Sequence, residues 1–204
     1  MSMLFDIRGA ALPLPIENLD TDQIMPKQFL RIIDKAGLAQ GLLYDLRFDS
    51  SGQPIAGCVM NDARYRRASI LIGGSNFGCG SSREHAVWGL RQYGFSAVIA
   101  PSFAEIFYSN AMNNRLLLVQ LARAEVEELI LDWHRDPSAE LRIDIERQRV
   151  ESASGREYEF PLGERHKRMV IDGLDTIGMT LVDLADIQAF EQVHHARHPW
   201  ATLG

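Results

Sequence analysis

The chain has only two cysteines, Cys58 and Cys79, among its 204 residues. That excludes a disulfide framework. It also excludes an iron–sulfur centre held by this chain alone, because such centres take three or four thiolates. Long apolar runs are missing, so no segment reads as a membrane span. Residues 1–7 have neither a basic start nor an apolar stretch of the needed length, which predicts no signal peptide and a cytoplasmic protein. Basic charge is in deficit: 21 Lys and Arg against 27 Asp and Glu give a net charge of −6. A general nucleic-acid binder needs a basic face, and this balance argues against one. The motif H-E-x-x-H is absent, and His194, His195 and His198 fall in a polar C-terminal stretch where solvated side chains are expected. No internal repeat or low-complexity segment is present.

What is there suits one globular domain over 1–204, with a polar tail from about 194. Hydrophobic residues make up 46% and charged residues 24%, enough apolar surface for a sizeable core. Phe5 to Leu14 reads as one or two strands ending at Pro13 and Pro15. Asn18 to Asp22 is a polar turn whose side chains can bond nearby backbone. Pro26 suits the first turn of a short helix to about Arg31, and Asp34 to Leu46 has helical spacing broken by Gly37 and Gly41. Asp49 to Gly57 reads as a loop.

The centre carries the clearest pattern. Ile70–Ile72, Ala97–Ala100 and Leu116–Leu121 are short apolar runs, expected as buried strands. Helices are expected over Arg83–Tyr93, closed by Gly94, and over Phe103–Met112, with Ser102 as its cap. Alternation of this kind implies parallel β-α-β packing with right-handed crossovers. A helix over Glu125–Trp133 follows. Strands over Leu141–Ile145, Arg149–Ser152 and Glu157–Phe160 then predict an antiparallel hairpin region. Leu184 to Val193 reads as a final helix. The fold class is therefore α/β, with parallel central strands and an antiparallel hairpin region.

One stretch concentrates chemistry: Gly78-Cys79-Gly80-Ser81-Ser82-Arg83-Glu84-His85. It follows an apolar strand and the pair Gly73-Gly74, and it precedes a helix. Unpaired N–H groups and the positive dipole end of that helix suit an anion. Arg83 has the planar fork that grips a carboxylate. Each residue also has a plainer role: Ser81 or Ser82 as N-cap, Gly78 and Gly80 as turn residues. The glycine spacing matches neither a dinucleotide fingerprint nor a hydrolase elbow, since Arg83 stands where each would need glycine. A small polyanion is the expected ligand. Asp20-Thr21-Asp22 is too short for a calcium loop and reads as a turn that brings Lys27 near the site.

These segments resemble the small subunits of 3-isopropylmalate dehydratase, in the aconitase superfamily. The resemblance rests on Asn18-Leu19-Asp20-Thr21-Asp22-Gln23-Ile24, on Pro26 to Leu30 and on Asn76 to His85. Pro101 to Phe107 with Asn113-Asn114, and Asp172-Gly173-Leu174-Asp175, extend it over most of the chain. It implies the swivelling β/β/α domain and a hydro-lyase of leucine biosynthesis that moves a hydroxyl between adjacent carbons of 2-isopropylmalate. It further implies a [4Fe–4S] cluster on a separate large subunit, with no cofactor or metal on this chain. In that family's pattern Ser81 matches the catalytic base, Arg83 a substrate-carboxylate ligand and Ser82 a neighbouring polar contact. Glu84, His85 and Cys79 are expected in structural roles, and the stretch Phe29 to Leu46 at the mouth of the site. Val87, Ala111-Met112 and Leu118 depart from the family's usual residues without touching Ser81 or Arg83. Two alternatives stay open: the same chemistry on another substituted malate of the citramalate or homocitrate type, and a non-catalytic module that binds a dicarboxylate.

Overall fold

The computed structural model describes residues 4–30 and 37–201. A seven-stranded mixed sheet runs in the order β4-β3-β2-β1-β5-β6-β7. The strands β1 (Asp6–Leu14), β2 (Ile70–Gly73), β3 (Ala97–Ala100) and β4 (Leu117–Gln120) form its parallel half. The strands β5 (Glu140–Asp144), β6 (Arg149–Glu151) and β7 (Glu157–Glu159) form its antiparallel half.

β1 joins the two halves. Its first residues, Asp6–Ala10, pair antiparallel with β5, and its last, Ala11–Leu14, pair parallel with β2. Of the one or two strands expected over this segment, the structure shows one, which runs through Pro13 to Leu14. β2 and β3 are buried on every residue, as unbroken apolar strands between helical layers should be. The core they anchor includes Leu71, Ile72, Val98, Ile99, Phe77, Phe95 and Phe107, each almost fully buried. Burying such a side chain contributes about 1.5–3 kcal/mol.

The helices are α1 (Thr21–Ile24), α2 (Leu38–Gly41), α3 (Tyr44–Arg47), α4 (His85–Tyr93), α5 (Glu105–Asn113), α6 (Arg123–Arg135), α7 (Glu164–Asp172), α8 (Thr176–Val182) and α9 (Leu184–Arg197). Several depart from expectation for local physical reasons. The polar turn at Asn18–Asp22 becomes a short helix because Asp20 and Gln23 form a capping box. Pro26 precedes a single 3-10 turn, Lys27–Phe29, and the expected helix end at Arg31 lies outside the described residues, as does the start of the Asp34–Leu46 segment. Ser102 does not cap α5. The cap position is Ala104, and the Ser102 hydroxyl accepts the Asn76 N–H at 2.8 Å.

α4 begins at His85 rather than Arg83, so neither Ser81 nor Ser82 is its N-cap. At its other end Gly94, at φ +122°, closes the helix as expected. The residue in the left-handed conformation after α5 is Arg115, at φ +58°. α7 and α8, which the sequence does not announce, bury Met169 and Val170 in the first and nothing in the second. α9 extends through His194 and His195 to Arg197.

Candidate functional site

The glycine turn lies on the rim of the parallel half, between β2 and α4. Its path is set by two left-handed glycines, Gly78 at φ +77° and Gly80 at φ +99°. Gly78 is also constrained by packing: a Cβ there would sit 2.2 Å from the Phe107 ring. The turn is stitched to the segment before α1 by backbone. Gly78 N donates to Leu19 O at 2.8 Å and Thr21 N to Cys79 O at 2.8 Å, with a parallel bridge between Asp20 and Cys79. The Cys79 thiol donates to Asn18 O at 3.2 Å.

These backbone bonds bring α1 directly under Ser81. Thr21 is 1% exposed, and its hydroxyl oxygen accepts the Ser81 N–H at 3.1 Å. The same oxygen lies 2.8 Å from Ser81 Oγ and 3.4 Å from Ser81 O. A threonine hydroxyl has one proton and two lone pairs. With one lone pair taken by the Ser81 N–H, Thr21 Oγ1 keeps its proton and a second lone pair, and either hydroxyl can donate across the 2.8 Å contact. Thr21 therefore fixes the Ser81 oxygen and is placed to donate to it whenever Ser81 gives up its proton.

Arg83 leans back onto the same helix. Its guanidinium pairs through Nη1 with the Asp22 carboxylate, and Lys27 Nζ stands 3.8 Å from the other Asp22 oxygen. Arg83 was expected as a cation waiting for a ligand. It is instead held by Asp22, on a side chain 25% exposed. Lys27 does lie beside the site, as the turn reading expected. Ser82 is exposed; its carbonyl accepts from Asn110 Nδ2 at 3.3 Å.

Behind Arg83 a polar relay ties the start of α4 to the end of α5. Asn114 donates to Glu84 Oε1 at 2.5 Å and to Asn110 O at 2.8 Å, and it accepts from the Trp88 indole at 2.9 Å. His85 packs its ring on Trp88, with centroids 4.7 Å apart. Glu84, His85 and Asn114 hold the loop from behind. Sequence reasoning placed Ser81, Ser82 and Arg83 in one turn with Lys27 nearby, and the fold adds Thr21 and Asp22 to them. The only signal for those two was the Asp-Thr-Asp segment itself. Thr21 was missed because its partner lies 60 positions away.

Among the described residues no three His, Cys, Asp or Glu side chains gather as a metal set. Cys79 is engaged with Asn18, and Cys58 lines a separate cavity. The donors of this chain do not fit an iron–sulfur cluster. No helix among the described residues is long and apolar enough to cross a membrane. The cavity that Cys58 lines lies elsewhere, between the segment Pro54–Tyr65 and Trp133. The glycine turn is the better candidate for the reaction because it gathers a hydroxyl, a hydroxyl donor and a guanidinium on one open edge.

The aconitase C-terminal domain family matches residues 1–124. The family of the C-terminal domain of the 3-isopropylmalate dehydratase small subunit matches residues 176–202. The 3-isopropylmalate dehydratase small subunit 1 of Chromobacterium violaceum is 57% identical over 194 residues, covering 95% of this chain and 91% of that protein. The 3-isopropylmalate dehydratase small subunit of Roseobacter denitrificans is 42% identical over 200 residues, 98% of this chain and all of that protein. Among solved structures, 3-isopropylmalate dehydratase from Methanocaldococcus jannaschii superposes with a TM-score of 0.65 at 26% identity, over 91% of this chain and 99% of that one.

Proposed function

We propose a division of labour for this chain, which belongs to the 3-isopropylmalate dehydratase small-subunit family of the aconitase superfamily: Ser81 moves the proton and Arg83 holds a substrate carboxylate. The chain is the small subunit of a hydro-lyase of leucine biosynthesis, which interconverts 2-isopropylmalate and 3-isopropylmalate by removing and re-adding water. Chain 1–204 acts as one domain.

Dehydration takes a proton from the carbon next to a carboxylate. A serine does this only if its alkoxide is stabilised. The single observation that carries the reading is the Thr21 hydroxyl 2.8 Å from Ser81 Oγ: it donates to the oxygen that must carry the negative charge. Arg83 adds positive charge two residues on, and Asp22 orients its guanidinium through Nη1. The remaining edge, Nε and Nη2, takes the carboxylate in a two-pronged contact. Ser82, exposed beside Arg83, supplies a further polar contact. On rehydration the proton returns from Ser81 to either carbon, which is what isomerisation requires.

A Lewis acid at the departing hydroxyl is supplied by a [4Fe–4S] cluster on the large subunit, because this chain has no donor set for one. The active site then lies between the two chains, in the cytoplasm. Exposed apolar side chains on α8, on α9 and in the 3-10 turn that follows support a second chain covering this part of the molecule: Ile177, Phe190 and Trp200 are 70%, 67% and 83% exposed. α8 starts against α5 through a Thr176–Asn113 bond of 3.0 Å, one residue from the Asn114 relay behind the site.

The test is reconstitution. The purified chain should contain no iron or sulfide and turn over nothing; mixed with the large subunit it should interconvert the two isopropylmalates faster than citramalate or homocitrate. Stoichiometric iron in the lone chain, or turnover by it, overturns the proposal. Preference for another malate transfers the same chemistry to that substrate.

A further inference from the structure

The backbone that carries Arg83 is held at both of its neighbours. On one side Asn110 Nδ2 donates to Ser82 O at 3.3 Å. On the other Asn114 Nδ2 donates to Glu84 Oε1 at 2.5 Å. The two asparagines lie four positions apart at the end of α5, on one face of it. α4 needs this support. Its cap position is Glu84, which makes no side-chain cap bond, and an uncapped helix start leaves its first N–H groups unanswered. Asn114 is itself fixed: its amide nitrogen also donates to Asn110 O at 2.8 Å, and its oxygen takes the Trp88 indole N–H at 2.9 Å. An indole only donates, so the amide oxygen must face Trp88 and the amide nitrogen must face Glu84.

We propose that Asn110 and Asn114 are positioning residues for the substrate carboxylate: they fix the point from which Arg83 reaches, while Thr21 separately fixes Ser81. This role rests on the carboxylate contact proposed for Arg83. The two supports come from different elements. Ser81 is held from α1, by Thr21 at its N–H and at its Oγ. The backbone on either side of Arg83 is held from α5. Asp22 orients the guanidinium, but it does not set where the arginine stem begins. A two-pronged contact with a carboxylate is sensitive to small displacements of the fork. Loss of either asparagine therefore loosens substrate binding and leaves proton transfer in place.

Ending α5 does not require the Asn114 side chain. The Asn114 N–H already closes that helix on Asn110 O and Ala111 O, both at 3.1 Å, and alanine would keep those bonds. What the side chain adds is its grip on Glu84 and Trp88, at the start and the middle of α4.

The experiment is steady-state kinetics of the reconstituted enzyme with Asn114→Ala and Asn110→Ala, each alone and each combined with Arg83→Lys. Either asparagine variant alone should raise KM for 2-isopropylmalate roughly three- to tenfold, the worth of one neutral hydrogen bond, with kcat nearly unchanged. In the Arg83→Lys background the same changes should add little, because an ammonium is a point charge with no fork to aim. Asn110→Ala removes only the bond to Ser82 and leaves the Glu84–Asn114–Trp88 contacts intact, so it carries the test if Asn114→Ala does not fold. A fall in kcat at unchanged KM, a lower Tm with parent kinetics, or KM effects that add fully to those of Arg83→Lys overturns the positioning role and leaves that of Arg83 standing. Parent kinetics in Arg83→Lys overturns the role of Arg83, and the positioning role with it.

Discussion

The Thr21 hydroxyl and the Ser81 hydroxyl lie 2.8 Å apart, the first on a capped four-residue helix and the second on a glycine turn 60 positions later. Thr21 also takes the Ser81 N–H at 3.1 Å. One buried side chain thus holds both the backbone and the oxygen of the proposed base. Thr21→Val keeps shape and removes the hydroxyl. It should lower kcat of the reconstituted enzyme by about 10- to 100-fold, or 1.4–2.7 kcal/mol, and lower stability by about 1–3 kcal/mol through the unpaired Ser81 N–H. Thr21→Ser should restore most of kcat while leaving a small packing deficit. If Thr21→Val lost only stability, Thr21 would be a structural residue alone.

Ser81→Ala should remove most turnover and change substrate binding less, since the hydroxyl acts at proton transfer. The expected loss is about 10²–10⁴-fold in kcat, the usual worth of a general acid–base group. Turnover within a few-fold of the parent would assign Ser81 to the turn's architecture only. Steady-state kinetics with and without Thr21→Val decide whether the two hydroxyls act as one unit: the double variant should cost little more than Ser81→Ala.

Arg83→Lys keeps the charge and loses the planar fork. It should raise KM and lower kcat/KM by about 10- to 100-fold in the assembled enzyme. Asp22→Asn should act in the same direction and more weakly, because it frees Arg83 from one oriented contact while leaving the guanidinium in place. Both side chains are partly open to solvent, so the ion pair itself contributes little to stability. A large fall in Tm of the isolated chain with normal kinetics after Arg83→Lys would make Arg83 structural.

Gly78→Ala should destabilise the fold by about 2–4 kcal/mol, summing a left-handed backbone penalty with an overpacked contact. Its Cβ would fall 2.2 Å from the Phe107 ring at φ +77°. Thermal unfolding measures the loss. Gly155→Ala, at a matching φ of +80° with open space around its Cβ, carries only the backbone part and should cost less. Equal costs at the two positions would show that the Phe107 ring yields without penalty.

The parallel centre was legible because its signals are local. Ile70–Ile72 and Ala97–Ala100 are apolar on every residue, and Gly73-Gly74, Gly94 and Pro101 punctuate them within a few positions. The antiparallel region was legible for the same reason, through alternation in Leu141–Ile145. α7 and α8 were passed over: the first opens on the charged run Glu164 to Arg168 before Met169 and Val170 reach the core, and the second is seven residues long and contains Gly178. The first turn of α4 was misplaced by two residues, since the Ser-Ser-Arg run satisfies the composition of a cap without its hydrogen bond.

By itself the sequence determined an α/β domain and a glycine turn bearing Ser81, Ser82 and Arg83 before a helix. All of that rests on residues within about ten positions of one another, where periodicity, turn chemistry and helix-end preference operate. Only the tertiary structure decided that Thr21 addresses Ser81 and that Asp22 takes Arg83. It also decided that Asn114 ties Glu84 to Trp88. Those pairs are separated by 26 to 61 positions, and they meet because parallel strands deliver the α1 and α4 loops to the same edge of one sheet. A hydroxyl in a sequence carries no sign of which other hydroxyl it will face. That is set by the register of β1 on β2, which places Leu14 beside Gly73 and so lays the Asp20 segment along Cys79.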